Sequence, residues 1–441
     1  MIPLPRMKDR KVRVVGLGPA GRATASALAA AGAEVAIWDD EPDRRTAQGE
    51  ALGLPVKGPR ASLSGVDAVV LCDGALGAAT KQLLPKVKAS GVPLLTDFDL
   101  FARALSETEG EGRAQLVGVT GVAGKSVTAG LIAGVAAAAG RRVHLGDETP
   151  CLALPAPQAD DLYVVELPTA RLAATRRFPC DVAVVLEMEG ARGGLDAVMR
   201  AVTRLTRHQH PGGAAVIAAD DALGAKVCTA LQGAGAIPVG NDVIPVSAEA
   251  ALGHGVFVLN HQAYAARDGR TQALGDLARA HAIQAPHLAL DAAAALAACL
   301  ALGISPAMIV KALHAAEPSP GRFAPVGARG RVLVVDDSRA RLPRSVSRAL
   351  AAAPDVFWIT VDAEASAPSL RATYRVGSDD TPGLDDALDA ALADAEALAA
   401  REPHAAPVVL FAPGAPVEPG AFARLASERL GEPDKAGVIR G

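Results

Sequence analysis

Short apolar runs alternate with alanine-rich stretches of helical length along the whole chain, and this alternation restricts the fold more than any other feature. A strand followed by a helix, repeated, builds mostly parallel sheets covered by helices, so the fold class is α/β. The runs that read as strands are 11–16, 34–38, 67–72, 92–96, 115–120, 162–167, 181–187, 214–219, 332–337, 356–360 and 407–412. They form three clusters. The first ends near the polar connector "FARALSETEGEGR" (101–113) and the second at the proline-rich break "HAAEPSPGR" (314–322). Domains are therefore expected over 1–108, 109–317 and 318–441. Within the third, "LDDALDAALADAEALAA" (384–400) interleaves acidic and apolar residues at helical spacing, which predicts an amphipathic helix.

Composition narrows the function. Half of the 441 residues are hydrophobic but only 3% are aromatic, so the cores must be built from Ala, Val and Leu. There are 48 acidic and 44 basic residues, and this balance gives no electrostatic reason to expect nucleic acid or an anionic membrane as partner. Cys72, Cys151, Cys180, Cys228 and Cys299 are scattered without a CxxC pair, which reads as buried thiols in a reducing cytosol. No signal-peptide run precedes the first strand, and "AGLIAGVAAAAG" (129–140) is too short to cross a bilayer. A cytoplasmic monomer without a membrane span is expected.

Two glycine-rich turns each follow a strand and open a helix. The first is Gly16-Leu17-Gly18-Pro19-Ala20-Gly21. Its glycines let backbone approach a diphosphate, and the helix start offers N–H groups to it. Asp39, with Asp40 beside it, ends the next strand at a spacing that suits a ribose or base contact. A tight strand–helix turn alone also selects glycines, so the flanking strand, helix and acid carry the nucleotide reading. The second turn is Thr120-Gly121-Val122-Ala123-Gly124-Lys125-Ser126, a TGxxGK[ST] loop with Val119 at the first glycine of the common spacing. Its backbone would cradle phosphates, Lys125 would neutralise them and the Ser126 hydroxyl would hold magnesium.

With these loops in place the whole chain resembles the Mur ligases, ATP-dependent enzymes that add amino acids to the UDP-linked peptidoglycan precursor, and within them the D-glutamate-adding type. "VVGLGPAG" (14–21) is similar to their UDP-binding start, and "GVPLLTDFDLF" (91–101) to the segment that closes their first domain. "VTGVAGKS" (119–126) resembles their ATP loop and "YVVELPTARL" (163–172) their "ELSSFQL" strand. Residues 285–304 resemble their "HNxxNxxAA" helix, 336–350 their "DSKATNPxA" turn and 408–430 their C-terminal pattern. The resemblance implies a Rossmann-like N-terminal domain, a central P-loop ATPase-type domain and a C-terminal Rossmann-like domain. It implies ATP and Mg2+, with UDP-N-acetylmuramoyl-alanine and D-glutamate joined through an acyl-phosphate. Gly16, Leu17, Gly18, Pro19, Gly21, Asp39 and Asp40 would then hold the UDP precursor. Thr120, Gly121, Gly124, Lys125, Ser126, Val127, Asp291, Arg322 and Asp337 would hold ATP, and Ser126 and Glu166 the metal. Catalysis would fall to Lys125, Glu166, Arg322 and Arg339.

The chain departs from the family pattern on the other side of the metal site. Glu187 stands where the family has Asn, and no DH pair follows. Alignment back from "HPGGAAVIAADD" (210–221) puts Val202 at the carbamylated lysine, and no lysine lies between Lys125 and Lys226. The "ELSS" serines become Pro168 and Thr169. "HNxxN" keeps His287 but has Leu288 and Asp291. "HRxE" keeps only Arg322. Arg339 replaces a lysine and Val417 a serine near the incoming amino acid. Glu187, Glu189 and Asp196 offer oxygen ligands in this region, or are acids of a solvated loop. His208 and His210 read as a polar helix end, and Arg176, Arg177, Arg200, Arg204 and Arg207 as surface charges. Asp97 and Asp99 suit capping or hinge roles as readily as ligand contacts. Two functions follow: a ligase with a reorganised second metal site, or a catalytically impaired relative that binds ATP and/or the UDP precursor as a regulator or scaffold.

Overall fold

The computed structural model describes every residue except 73–77, 108–112, 148, 189–193, 234–236, 284, 286–287, 341–342, 352, 354, 379–380, 382, 416, 419 and 431–441. Contacts divide the chain into two compact units. One comprises Met1–Phe257, Tyr264–Gln272 and Ala293–Ile309, the other Val258–Ala263, Ala273–Ala292 and Val310–Gly441.

Three sheets organise the strands. The first is formed by β1 (Lys11–Val15), β2 (Glu34–Trp38), β3 (Ala68–Leu71) and β4 (Leu94–Thr96), in the order β2-β1-β3-β4 and parallel throughout. Helices α1 (Pro19–Ala30), α2 (Pro42–Leu52), α3 (Ala78–Ser90) and α4 (Asp97–Ser106) follow these strands in turn. The second sheet begins with β5 (Gln115–Thr120), α5 (Lys125–Ala138), β6 (Val143–Gly146), β7 (Leu162–Leu167), α6 (Thr169–Ala174) and β8 (Val182–Val185). It continues through α7 (Gly194–Thr206), β9 (Ala214–Ala218), α8 (Ala222–Gln232) and the strands β10 (Asp242–Ser247), β11 (Gly255–Leu259), β12 (Gln262–Arg267) and β13 (Arg270–Asp276). Its order is β13-β12-β11-β10-β9-β8-β5-β7-β6. Helices α9 (Ala289–Ala301) and α10 (Pro306–Ala315) lead to the third sheet. That sheet comprises β14 (Ala324–Arg329), β15 (Val332–Asp336), α11 (Pro343–Ala351), β16 (Asp355–Thr360), β17 (Leu370–Arg375), α12 (Leu384–Arg401), β18 (Pro407–Phe411) and α13 (Ala421–Leu430), with strand order β14-β15-β18-β16-β17.

Every run read as a strand is one. The strands that the apolar runs did not mark are β6, β10 to β14 and β17, and for four of them the reason is local. β10 carries Pro245, β14 has Pro325 and a register shift beside it, β13 is a largely exposed edge strand, and β17 alternates in exposure residue by residue. The helix expected over 384–400 is α12, which buries Ala387, Leu388, Ala391, Leu392, Ala395 and Leu398 along one stripe. α9 shows how a core without aromatics is filled: Ala292 to Cys299 are all fully buried. All five cysteines are buried and unbridged. Among the described residues no helix is long and apolar enough to cross a membrane.

Within the first unit the first two sheets share one apolar core. Ile2, Leu28, Phe98 and Phe101 from the N-terminal segment pack in the same cluster as Leu152, Tyr163, Phe178 and Leu205. Asp97 and Asp99 sit at this junction, and Asp99 takes the capping role that its segment suggested. Thr96 caps α4 and exchanges hydrogen bonds with Asp99 in a capping box. The other Asp99 oxygen accepts the backbone N–H groups of Arg176 and Arg177, both at 2.8 Å. Asp97 forms an ion pair with Arg171 of α6, whose guanidinium lies 4.2 Å from the Phe98 ring centre.

Candidate functional site

The second glycine loop leaves β5, whose two neighbours in the sheet, β7 and β8, both come later in the chain. A strand with flanks that wind outward in this way opens a crevice at its carboxyl end, the usual ligand position of an open α/β sheet. Gly121 has φ 152°, and a Cβ there would lie 2.7 Å from Leu186 Cβ. Gly124 has φ 80° and forms the N-cap of α5. Both positions therefore demand glycine. The loop is tied to the end of β8, since Val122 N–H donates to the Glu187 carbonyl and Leu186 N–H to the Thr120 carbonyl, each at 2.8 Å. The Thr120 hydroxyl donates to the Leu167 carbonyl at 2.7 Å, so Thr120 contributes by fastening β5 to β7. Val127 turns its side chain into the core and has only its backbone to offer a phosphate. Lys125 Nζ rests on the Gly121 carbonyl at 2.9 Å, at the loop itself.

Glu166 lies in β7 beside this loop and meets the Ser126 hydroxyl and the Lys125 ammonium. Burial pushes its carboxyl up to about 7. Ser126 and Lys125 pull it down, and the neighbouring carboxyl of Asp147 raises it. Its Oε1 is buried without a hydrogen-bond partner. Buried carboxylate oxygen next to a loop hydroxyl is an oxygen donor set that fits a magnesium ion. Asp147 had no place in the sequence reading. Its only signal was an acid directly after the short strand "VHLG", one strand away from the strand that carries Glu166.

The first glycine loop leaves β1, again the strand from which its sheet winds in both directions. A Cβ on Gly21 would meet the Gly16 carbonyl oxygen at 1.7 Å, so α1 packs against the loop only through glycine. Asp39 is nearly fully buried and fastens this loop, accepting Leu17 N–H at 2.6 Å and Glu41 N–H at 2.8 Å. Asp40 accepts the Trp38 indole N–H at 2.9 Å and the Thr80 hydroxyl at 3.0 Å. Burial would raise its pKa, but these bonds outweigh it and hold the carboxyl below the usual carboxylate range. Gly18 is the N-cap of α1 and Pro19 its first residue.

The second unit gathers Arg322, Asp337 and Arg339. Asp337 follows β15 and accepts Phe323 N–H at 3.1 Å, while Arg339 N–H donates to the Gly321 carbonyl at 3.0 Å. Phe323 has φ 49°, a left-handed conformation costly for a bulky residue and held by this bond. Asp291 lies buried in the first turn of α9. Burial pushes the Asp337 carboxyl up to about 7, with Asp336 adding to the effect and Phe323 N–H and Arg322 opposing it. A carboxyl with a raised folded pKa stabilises the fold least when ionised. Its contribution is therefore lost as pH rises from about 4 towards 7. A tenfold displacement in proton affinity is worth about 1.4 kcal/mol. Asp337→Asn should thus gain on the order of 2–4 kcal/mol relative to the parent between pH 4 and pH 8. Thermal unfolding at both pH values checks this, and a stability difference independent of pH would refute it.

No family model matches the chain. Curated relatives do. The UDP-N-acetylmuramoylalanine–D-glutamate ligase of Phenylobacterium zucineum is 33% identical over 368 residues, which is 81% of this chain and 77% of that protein. The protein of the same name from Caulobacter vibrioides is 33% identical over 367 residues, with the same two shares. The chain belongs to the Mur ligase family. A solved UDP-N-acetylmuramate–alanine ligase from Thermotoga maritima is 16% identical, with a TM-score of 0.48, over 95% of this chain and 97% of that one.

Along α7, Val202, which the resemblance aligned with a carbamylated lysine, is fully buried and packs with Val198, Ala201 and Leu205 in the shared core. Asp196 is exposed in the first turn of the same helix. Glu187 is buried at the loop, and Glu189 lies outside the described residues, as do His287 and Arg341. His208 and His210 lie in the turn after α7, where burial and then neighbouring arginines lower both pKa values. Among the described residues no group of three or more His, Cys, Asp or Glu side chains could hold a metal ion. Of the arginines in this region, Arg204 donates to the Thr175 carbonyl at 2.6 Å. Val417 is partly buried against the core of the third sheet.

Proposed function

We propose that this Mur ligase joins D-glutamate to UDP-N-acetylmuramoyl-L-alanine at the expense of ATP, through an acyl-phosphate on the precursor carboxylate. The observation that carries the reading is the intact phosphate loop with Glu166 beside it, in a chain related over most of its length to D-glutamate ligases. In this reading residues 1–108 take the UDP precursor on the Gly16 loop, 109–317 take ATP on the Gly121 loop, and 318–441 take the amino acid. Lys125 neutralises and orients the transferred phosphoryl group. Arg322 and Arg339 supply positive charge for anionic ligands, and Asp291 and Asp337 are assigned nucleotide contacts by the resemblance. A magnesium ion held by Ser126 and Glu166 would supply charge neutralisation to the phosphates.

Phosphate release from ATP is the test. It should require both UDP-N-acetylmuramoyl-alanine and an amino acid, and across a panel of amino acids D-glutamate should give the highest rate. Binding of ATP and precursor with no release under any amino acid would overturn the ligase reading and leave a regulator or scaffold.

A further inference from the structure

β6 pairs with β7 in parallel register, Leu145 beside Val164 and Gly146 beside Val165. One more step of that register sets Asp147 beside Glu166. Partnered residues of adjacent strands project from the same face of a sheet. The two carboxyls lie within hydrogen-bonding reach of each other, and Glu166 also meets the Ser126 hydroxyl. Two neighbouring carboxylates stay together only with a proton or a cation between them. Glu166 Oε1 is buried without a hydrogen-bond partner, so an oxygen of this pair is poised for a cation. α7, by contrast, presents Val198, Ala201, Val202 and Leu205 inward.

We propose that Asp147 is a metal-ligating residue, which with Glu166 and the Ser126 hydroxyl holds the divalent cation of the nucleotide site and supplies the oxygen donor that the apolar face of α7 does not. The all-oxygen donor set suits Mg2+ or Mn2+. A cation bound by two carboxylates has its double charge balanced by protein alone, so it should bind before nucleotide arrives. The proposal rests on reading the Gly121 loop as a nucleotide site.

The experiment titrates Mn2+ into the full chain at pH 8, follows free Mn2+ by electron paramagnetic resonance, and measures binding of a fluorescent ADP analogue in EDTA. Asp147→Asn should weaken Mn2+ binding at least about tenfold. It should bind the ADP analogue in EDTA at least as tightly as the parent, because a negative charge has been removed. Asp147→Glu keeps the charge and should recover part of the Mn2+ affinity, which separates loss of a ligand from loss of structure. The proposal falls if Asp147→Asn binds Mn2+ like the parent while Glu166→Gln does not. It falls equally if Asp147→Glu, folded, is no better than Asp147→Asn. Failure of the parent to bind the ADP analogue would instead refute the nucleotide reading, while Mn2+ binding still decides the ligand assignment.

Discussion

Replacing Lys125 with alanine will lower phosphate release from ATP by about 10²–10³-fold, measured with UDP-N-acetylmuramoyl-alanine and D-glutamate both present. The ammonium is built into the loop: Lys125 is the first residue of α5, and its Nζ rests on the Gly121 carbonyl at 2.9 Å. In the proposed reaction it would therefore stand at the phosphates, where charge develops in the transition state and where a fixed cation acts without reorganisation. No other lysine lies in the following hundred residues, the next being Lys226, so local sequence offers no replacement of the same chemistry. The loop's shape depends on Gly121 and Gly124, which the substitution leaves untouched. Undiminished release from the Lys125→Ala protein would mean that ATP is bound elsewhere.

The second large effect concerns stability. Asp97→Ala should cost about 3–5 kcal/mol in urea-induced unfolding, because it strands the Arg171 guanidinium in a largely buried setting. Asp97 is nearly inaccessible and also accepts the Cys151 thiol at 3.7 Å. Replacing both partners with apolar residues, Asp97→Leu with Arg171→Met, should recover most of the loss, since burying an ion pair is itself costly. A loss below about 1 kcal/mol for Asp97→Ala would show that the pair is dispensable.

Much of this was legible from residues alone, and what was not has physical causes. Both glycine loops announced themselves because backbone that approaches a phosphate, or a helix packed against its own loop, excludes a Cβ. Gly21 and Gly121 show that exclusion directly. Most buried strands stood out as apolar runs, whereas β13 and β17, exposed along much of their length, did not. The absence of lysine between Lys125 and Lys226 was visible, but the burial of Val202 in a continuous core could come only from packing. The spacing of Asp39 suits a ligand contact, and in the fold its oxygens fasten Leu17 and Glu41, a use that nothing in the spacing distinguishes. Asp147 was missed because its partner is a neighbour across a sheet, nineteen residues away in sequence and one strand away in space.

The shared core of the first two sheets has a consequence for how the ligands are received. Phe98, Phe101 and Ile2 are packed into the same cluster as Tyr163 and Phe178, and Asp99 holds the chain at Arg176 and Arg177. The distance between the Gly16 loop and the Gly121 loop is therefore set when the chain folds. Two ligands bound there, as proposed, would meet a spacing already fixed, and ordering these two loops against each other would cost their association no affinity.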